Sequence, residues 1–363
     1  MLLDLWTRNL RNLREDRFEL GDGLNLFVGT NGSGKTSLLE ACHILARGRS
    51  FRTHRLARAV RNGESSFAVA GQLFDPHHGR SRVAVEWEGE RRSRLDGQWL
   101  DGHWEIVRRM PLVAVHADSF EILTGPPDER RRLLDWGAFY VGSGFARSWQ
   151  TWRRAHEQRN AALRQGDAGL AIRFEAVAAE AGTHLSGMRA RFVEALGRHL
   201  NGEVTQALRE GLEGRIEVGY RQGWPEYEGL DEAYARSRPS DLERGFGQLG
   251  PQKADVEFRI SGHPAREASR GEQKRALNAL VVAQGQVLME APDTGSVLPI
   301  LLLDDAVAEM DAPGVGGIMT VVRELGWQCL STTVDQGWAE LAAARQRDSR
   351  MFHVKHGKIS AVV

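Results

Sequence analysis

The chain has 363 residues, of which 41% are hydrophobic and 40 are glycines. This length predicts about two domains, and the apolar content is that of a globular protein, which excludes disordered and fibrous classes. Lysine plus arginine and aspartate plus glutamate both number 48, so the formal net charge is zero. Zero net charge excludes a strongly basic, histone-like nucleic-acid binder but allows a locally basic surface. Only five of the basic residues are lysines, and Lys35 is the only one before position 250.

The cysteines and the apolar segments indicate the compartment. Cys42 and Cys329 each lie in an apolar segment, as expected of reduced thiols in the core of a cytosolic protein. The first apolar stretch is interrupted by Asp4 and Arg8, which argues against a secretory signal peptide. The longest apolar run, Val297–Leu303, is far shorter than a membrane span. We therefore expect a soluble, cytoplasmic protein that does not act at a membrane.

The first part of the chain is predicted to consist mainly of strands. Residues 2–8 and 17–20 alternate apolar and polar side chains, which predicts an opening hairpin. Leu24–Val28 predicts a short buried strand, and it is followed by the glycine-rich sequence GTNGSGKT and an amphipathic helix over Ser37–Ala46. Residues 66–115 contain short alternating runs between glycine-rich turns, which predict further strands.

The middle of the chain has a helical pattern. Residues from about 118 to 211 are rich in Ala, Arg and Glu, with apolar residues three and four apart, and predict three or four helices. Residues 221–250 are polar and rich in Gly and Pro, so we expect a connection with room for one helix. Beyond it we predict, in order, a strand, a helix, a strand, a helix and a strand at Asp255–Ile260, Ser269–Met289, Ile300–Leu303, Val315–Leu325 and Gln328–Ser331. Alternation of strands and helices at both ends predicts a mostly parallel sheet with helices on it.

The glycine-rich segment fits the phosphate-binding pattern G-x-x-x-x-G-K-[ST] in the strand–loop–helix context that this motif needs. Its glycines let backbone N–H groups turn toward phosphate oxygens without Cβ clashes, and the following helix presents its positive end to the phosphates. Lys35 is expected to reach the β- and γ-phosphates of ATP, and Thr36 to supply a ligand to Mg²⁺. The predicted nucleotide-binding residues are Gly29, Thr30, Asn31, Gly32, Ser33, Gly34, Lys35 and Thr36.

A pair of acids is expected to complete the nucleotide site. The apolar strand at Ile300–Leu303 ends in Asp304 and Asp305, and a strand this apolar is central in its sheet. Asp304 is expected to hold Mg²⁺ through water, as in a Walker B motif, and Asp305 to act as the general base on the attacking water. The predicted catalytic residues are therefore Asp305 and Lys35, and the predicted metal ligands are Thr36 and Asp304.

A third motif points to a site shared between two chains. The sequence SRGEQ from Ser269 to Gln273 opens a helix and is similar to the signature of ABC-type ATPases. Ser269 and the backbone around Gly271 are expected to form an anion cradle that closes over the γ-phosphate held by a partner chain. The sequence AVAEMD that follows Asp305 matches a D-loop, with Asp311 as its acid.

The last predicted strand bears on the rate of hydrolysis. It runs into Thr332 and Thr333, at the position where ABC transporters have a switch histidine. A hydroxyl at this position is expected to hold the γ-phosphate less firmly than a histidine. We therefore expect slow hydrolysis.

The spacing of the motifs selects among ABC-type ATPases. There are 233 positions from Thr36 to Ser269, more than a transporter head has, and they lack the sustained heptads of a chromosome-type coiled coil. We predict an α/β fold: an ABC-type P-loop ATPase head, with a mixed sheet and flanking helices, interrupted by a mostly helical second lobe. The predicted segments are 1–115 for the first part of the ATPase lobe, 116–246 for the helical lobe and 247–363 for the second part of the ATPase lobe.

Several longer segments occur together. They are GTNGSGKTSLLEACHILARGRSFRT at 29–53, ILTGPPDERRRLLDW at 122–136, RNAALRQ at 159–165, GPQKADVEFRI at 250–260, SRGEQKRALNAL at 269–280, LLLDDAVAEMD at 301–311 and MFHVKHGKI at 351–359. In this combination the chain resembles, over essentially its whole length, the RecF family of bacterial recombination-mediator ATPases.

The resemblance implies a weak, DNA-stimulated ATPase that acts as a switch. Members of the family are understood to form an ATP-dependent homodimer that clamps double-stranded or gapped DNA near single-strand gaps. With RecO and RecR they help to load RecA during recombinational repair and replication recovery. These partners and this role are implied by the resemblance, not by composition or spacing.

A run of arginines is the candidate DNA surface. Residues 41–63 contain six arginines and no acid, and arginines about three residues apart can neutralise phosphates and release counterions. The candidate DNA contacts are Arg47, Arg49, Arg52 and Arg55, of which Arg49 and Arg52 match the arginine motif of the family. A solvated helix face, or pairing with acids elsewhere, is the alternative. No element that reads bases is recognisable, so binding is expected to be independent of sequence.

Other functions remain open on the residues alone. A P-loop kinase or small-molecule ATPase would share the phosphate loop but would have no use for Ser269 or Asp311. A structural head that docks on a transporter, or another SMC-like or ABC-type ATPase head with a different partner, would share every nucleotide motif. Nucleotide-dependent dimerisation and stimulation by DNA distinguish these alternatives.

Overall fold

The computed structural model of the chain describes residues 1–291, 297–305, 312–344, 346 and 348–362. Its strands are β1 Leu2–Arg8, β2 Asp16–Glu19, β3 Leu24–Val28, β4 Phe67–Asp75, β5 Gly79–Glu88, β6 Glu90–Leu95, β7 Gln98–Trp99, β8 Leu112–Val115, β9 Ile216–Arg221, β10 Asp255–Ile260, β11 His263–Pro264, β12 Ile300–Leu303, β13 Gln328–Thr333, β14 Arg350–Lys355 and β15 Lys358–Ala361. Its α-helices are α1 Lys35–Arg47, α2 Trp104–Arg109, α3 Glu121–Thr124, α4 Pro127–Val141, α5 Phe145–Arg164, α6 Ala168–Leu200, α7 Leu230–Arg244, α8 Arg270–Glu290, α9 Ala312–Leu325 and α10 Gln336–Ala344.

The chain divides into two compact units. The first unit contains Met1–Ser119, Val204–Glu210 and Lys274–Val363, and the second unit contains Phe120–Glu203 and Gly211–Gln273. Both ends of the chain therefore build the first unit. The second unit reaches beyond the segment predicted for the helical lobe, because β10 pairs with β9 along its whole length.

A mainly parallel sheet lies at the centre of the first unit. In the described residues its strand order is β15-β14-β3-β13-β12-β8, and every neighbouring pair is parallel except the hairpin of β14 and β15. Every residue of β3, β12 and β13 is buried. Because parallel strands end at the same edge, the loops that follow these three neighbours meet at one place, where such sheets bind their ligands.

A second sheet in the first unit is antiparallel, with the order β2-β1-β4-β5-β6-β7. The consecutive strands from β4 to β7 are joined by short turns, which fix antiparallel pairing because a parallel crossover needs a long connection. Strand β1 pairs antiparallel with β4 across a long stretch of chain. Helix α1 packs against β4 and β5 of this sheet and also against β8 and β13 of the parallel sheet. Leu5, Val69 and Val85 are fully buried in the shared core, and alternate residues of the same strands point to the opposite face.

The second unit is mostly helical. The 33-residue helix α6 packs against α4, α5 and α7, and β9 also packs on it. A buried ion network joins the helices: the guanidinium of Arg159 donates to Glu175 at 3.1 Å and to Asp241 at 2.8 Å. All three side chains are buried. A buried arginine requires such partners, since an uncompensated charge in the core is strongly destabilising.

The main elements follow the sequence prediction. The strands Leu24–Val28, Asp255–Ile260 and Ile300–Leu303 have the predicted bounds. The prediction of a mostly parallel sheet is correct for one sheet of the first unit, while the other sheet is antiparallel. Strand β9 and helix α10 were not predicted. No helix of the described part of the chain is long and apolar enough to cross a membrane.

Close packing of α4 on α6 gives a test of the second unit. A Cβ added at Gly137 of α4 would lie 2.2 Å from the fully buried ring of Phe192 on α6. We expect Gly137→Ala to lower the free energy of unfolding by about 1–3 kcal/mol, although alanine favours helix formation. Gly187→Ala is the matched control, because nothing lies within 4 Å of its added Cβ, and we expect it to stabilise by about 0.5–1 kcal/mol. Urea unfolding followed by circular dichroism measures both; equal effects would contradict the packing.

Candidate functional site

The phosphate loop connects β3 to α1, as the motif requires. Gly32 and Gly34 have φ angles of 77° and 119°, in the region that glycine adopts without strain. Gly34 is the N-cap of α1, so the partly positive end of that helix lies at the loop. Gly29 is needed for space, since its added Cβ would lie 2.4 Å from the carbonyl oxygen of Val354. The backbone therefore has the form of an anion cradle.

Two polar side chains of the loop are arranged for a ligand. The ammonium of Lys35 donates hydrogen bonds to the carbonyl oxygens of Gly29 and Thr30, at 2.7 and 3.1 Å, and the side chain is almost fully buried. The hydroxyl of Ser33 is buried and has no hydrogen-bond partner in the described residues. An unsatisfied buried hydroxyl and an ammonium held over the loop both fit phosphate oxygens.

The acids after β12 are organised by hydroxyls from the two neighbouring segments. Oδ1 of Asp304 accepts hydrogen bonds from the hydroxyl of Thr36, at 3.0 Å, and from the hydroxyl of Thr332, at 2.8 Å. The same Thr332 oxygen accepts the backbone N–H of Asp305 at 2.8 Å. Asp305 has a φ of +47°, an uncommon conformation for a side chain other than glycine. Thr332 thus connects both acids.

Burial shifts the pKa values of the Asp304 carboxyl and the Lys35 ammonium. Burial raises the pKa of the Asp304 carboxyl, although the hydrogen bonds from Thr332 and Thr36 oppose the shift. Burial also lowers the pKa of the Lys35 ammonium, against the attraction of Asp305 and Asp304. Both shifts have the sign that desolvation of a charge gives. A ligand that brings both a cation and phosphate oxygens to this site would compensate both charges.

A cavity of about 660 Å³ opens in front of these residues, within the usual size range of small-molecule sites. It joins the phosphate loop and the two acids to a second segment of the chain. The residues that line it are Arg11, Asn12, Asn31, Gly32, Gly34, Lys35, Thr36, Ser37, Arg52, Arg58, Val60, Arg61, Asn62, Asp304 and Asp305. The hydroxyl and carboxylate oxygens of Thr36 and Asp304 are the donor type that Mg²⁺ prefers, so the residues present fit a magnesium nucleotide.

A buried acid in α1 holds one wall of the cavity. Glu40 has no exposed surface, and its carboxylate accepts two hydrogen bonds from the guanidinium of Arg11, at 2.9 and 2.7 Å. It also accepts the hydroxyl of Ser50 at 2.6 Å and a guanidinium N–H of Arg52 at 3.2 Å. Sequence reasoning missed Glu40, although an acid in a helix that is otherwise buried is a signal that could have found it.

The four predicted DNA-binding arginines lie in different environments. The guanidinium of Arg47 donates to the carbonyl oxygen of Leu112, and its side chain is half-buried. Arg52 lines the cavity and pairs with Glu40. Arg49 and Arg55, like Arg52, are exposed. The structure therefore separates the four residues by environment: Arg52 lines the cavity beside the phosphate loop, and Arg47 is hydrogen-bonded to the first residue of β8.

The signature residues lie at the start of α8. The hydroxyl of Ser269 accepts the N–H of Glu272, whose carboxylate accepts the N–H of Ser269, and together they form a capping box. Ser269 and Gly271 are exposed, whereas Gln273 is buried and its amide donates to three carbonyl oxygens of the preceding turn. An exposed, capped helix N-terminus can receive an anion from outside the chain. Gln273 supports this turn from within.

Thr333 and Asp311 are the other two predicted residues. The hydroxyl of Thr333 accepts the N–H of Asp335 at 3.0 Å and is buried, so Thr332 is the hydroxyl that reaches the acids. Asp311, the predicted D-loop acid, lies outside the described residues, as do the other residues of 306–311.

Comparison with known proteins gives a consistent result. The RecF/RecN/SMC N-terminal domain family matches residues 1–360. "DNA replication and repair protein RecF" of Marinomonas sp. (strain MWYL1) is 33% identical over 99% of this chain and 97% of its own length. The protein of the same name from Stutzerimonas stutzeri (strain A1501) is 36% identical, over 97% of this chain and 95% of its own length.

Solved structures show the same fold. The recombination mediator protein RecF with ATP, of the RecFOR pathway, has a TM-score of 0.87 at 23% identity and covers 100% of this chain and 97% of its own. An Smc head bound to the C-terminal winged-helix domain of ScpA has a TM-score of 0.59 at 16% identity, with coverages of 99% and 96%. The predicted fold class, an α/β ATPase head with a helical insertion, is confirmed by these likenesses.

The Glu40 network yields a stability prediction. Glu40→Gln removes the charge that Arg11 and Arg52 share and leaves two cations near each other around a buried amide. We expect the free energy of unfolding to fall by about 2–3 kcal/mol, less than for a fully buried pair because both arginines can reach water. Ser50→Ala removes one neutral donor to the same carboxylate and should cost about 1 kcal/mol. Denaturant unfolding of both variants measures the difference; a Glu40→Gln protein as stable as Ser50→Ala would contradict this role.

Proposed function

The chain belongs to the RecF family of DNA replication and repair proteins, and from this premise we propose that it binds ATP with Mg²⁺ and uses the nucleotide to switch a DNA-bound dimer. One observation supports the nucleotide site above all others. A single carboxylate oxygen of Asp304 accepts hydroxyls from Thr36 of the phosphate loop and from Thr332 of β13. The three segments that an ATPase must bring together therefore meet at one atom.

Each residue of the site has a distinct role in this proposal. The N–H groups of the loop from Gly29 to Gly34 and the start of α1 bind the phosphates. Lys35 exchanges its two carbonyl partners for β- and γ-phosphate oxygens. Thr36 and Asp304 hold Mg²⁺, which when bound neutralises charge on the phosphates.

Hydrolysis depends on the acids after β12. Asp305 orients a water molecule and accepts its proton as the water attacks the γ-phosphate. Thr332 does not replace a switch histidine in this proposal, because its hydroxyl is already engaged with both acids. It positions Asp304 and Asp305 instead, so the γ-phosphate lacks a cationic contact from this strand. We therefore propose weak ATP hydrolysis that resets a switch.

The signature supports a dimer with a shared nucleotide. Ser269 and Gly271 are exposed at the N-terminus of α8, and this exposure leaves them available to the γ-phosphate of a second copy of the chain. We propose that ATP holds two copies together through this contact, with Asp311 as a D-loop contact between them.

We propose that the dimer clamps duplex DNA next to single-strand gaps. A solved RecF is described as a recombination mediator of the RecFOR pathway, and by analogy this chain acts in the cytoplasm with RecO and RecR to help load RecA. Arg49 and Arg55, which are exposed, are candidate phosphate contacts in that clamp. Such contacts would be independent of base sequence and sensitive to salt.

Two variants separate nucleotide binding from dimerisation. We expect ATP to drive dimer formation by the unsubstituted chain, measured by sedimentation velocity. Lys35→Met should neither bind ATP nor dimerise, because it removes the cation that the phosphates require. Ser269→Arg should bind ATP with unchanged affinity in a titration but remain monomeric, because it fills the anion cradle with a large side chain.

Ser143→Arg is the matched control for the second variant. Ser143 is also exposed, and an arginine there should leave both ATP binding and dimerisation unchanged. ATP-dependent dimers of the Ser269→Arg protein would contradict the shared site while leaving ATP binding intact.

The raised pKa of Asp304 makes ATP binding depend on pH. The ionised carboxylate is the form that holds Mg²⁺, so Mg²⁺-dependent affinity should be full above that pKa and lost as the pH falls through it. Thr332→Val removes a hydrogen bond that favours the ionised form and should move the loss of affinity to higher pH. Ser331→Ala is the control, because the buried Ser331 hydroxyl has no partner in the described residues. ATP titrations from neutral pH downward measure the shift; identical profiles for all three proteins would refute this role of Thr332.

A further inference from the structure

The antiparallel sheet of the first unit has a second face that is not part of the core. On β5, Val83 and Val85 are buried, and on β6, Ser93 and Leu95 are buried. Successive side chains of a strand alternate between faces, so the residues between these point outward. A contiguous patch of outward side chains results, formed by Phe74, Arg80, Arg82, Arg92, Arg94 and Trp99; we call it the Arg–Trp patch.

The strand register brings these side chains together. Arg80 lies opposite Phe74, and Arg94 lies opposite both Ala84 and Trp99. Trp99 is 41% exposed and Phe74 is 38% exposed. Since the patch crosses four strands at about 4.8 Å each, it is wide enough for a few units of a linear polymer.

Trp99 holds two of the arginines in place. The guanidinium carbons of Arg92 and Arg94 lie 3.9 and 3.7 Å from the centre of its rings. Stacking on an aromatic ring fixes a guanidinium group but leaves its N–H edge available to an acceptor. The two arginines are therefore ordered before any ligand arrives, which lowers the entropic cost of binding.

The charge of the patch favours an anion. Two acids lie within it: Glu86 is 3.7 Å from Arg94, and the carboxylate of Asp96 accepts the backbone N–H of Arg82. Four arginines outnumber these two acids, and the remaining acids of the same hairpin, Glu88 and Glu90, lie at the turn between β5 and β6. Exposed aromatic rings beside arginines are typical of surfaces that bind unpaired nucleotides.

We infer that the Arg–Trp patch binds single-stranded DNA, an inference that rests on the proposed function and adds a contact for the strand exposed at a gap. Arg80, Arg82 and Arg92 contact phosphates, and Phe74 and the stacked guanidinium planes contact bases. A duplex would use only the charges, because its bases are stacked on each other and hide the surfaces that rings and guanidinium planes contact. The single strand is therefore the form that uses the whole patch.

A pair of substitutions that introduce long side chains of opposite charge tests this inference. Ala84 lies at the centre of the outward face opposite Arg94, and a longer side chain there extends into solvent. With the full-length protein and fluorescent oligo(dT), we expect Ala84→Glu to weaken binding about tenfold and Ala84→Lys to leave it unchanged or stronger, because both add a long side chain but with opposite charge. Trp99→Ala should also weaken oligo(dT) binding about tenfold. None of the three should change ATP affinity.

The outcomes distinguish this site from the function on which it rests. Equal oligo(dT) affinities of the glutamate and lysine variants would overturn the patch as a DNA site. The patch would then be a candidate site for an acidic surface of a partner protein instead. Equal losses for oligo(dT) and a blunt duplex would overturn the assignment to a single strand. Failure of the unsubstituted protein to bind any DNA in the presence of ATP would overturn the proposed function itself.

Discussion

The site of the first unit depends on one atom, the oxygen Oδ1 of Asp304, which accepts two hydroxyl hydrogen bonds at 3.0 and 2.8 Å. The two hydroxyls come from different segments of the chain, and the fold must bring both to the acid. One donor, Thr36, lies in the first turn of α1, directly after the phosphate loop that follows β3, and the other lies at the end of β13, while the acid itself follows β12. In this sheet β13 lies between β3 and β12, and all three strands run in the same direction. This parallel order brings the segments that follow the three strands to one edge, where the hydroxyls reach the acid.

Helix α1 connects the phosphate loop to the arginines that line the cavity. It begins with Lys35 and Thr36 at the phosphate loop, and one turn later it carries the buried Glu40. A fully buried carboxylate is stable only with strong donors, and Arg11, Ser50 and Arg52 supply them. Because two of these donors line the cavity, the helix that positions the phosphate loop also fixes the arginines on the opposite wall. A ligand that draws Arg52 away from Glu40 would disturb the same helix, so binding and wall geometry are coupled.

Much of the fold and the phosphate site could be predicted because the signals are local. The loop from Gly29 to Thr36 and the acids after Ile300–Leu303 are recognisable from residue types and spacing within a few positions of sequence. The Glu40 network could not be predicted in this way, since it joins residues 29 and 12 positions away whose contact depends on packing. The Arg–Trp patch depends on strand register, and a shift of one residue would point Arg92 and Arg94 into the core. Strand β9 was missed for a local reason: it is short, Gly219 interrupts it, and only Ile216 is fully buried, so its strand signal is weak.

The charge balance explains how a neutral chain can present cationic sites. Inside the second unit, Arg130 pairs with Asp255, Arg159 with Asp241 and Arg189 with Asp135. Such pairs cancel at short range and contribute little to the field outside the protein. The total charge of zero therefore says nothing about the charge of a particular surface; what matters is where an arginine lies without an acid of its own.

Lys35 is a position where lysine, not arginine, is needed. Its ammonium donates to two carbonyl oxygens of a tight loop, and the larger, planar guanidinium of an arginine would fit neither the space nor the geometry. In a chain that uses arginine almost everywhere else, lysine at that position is a requirement of the loop.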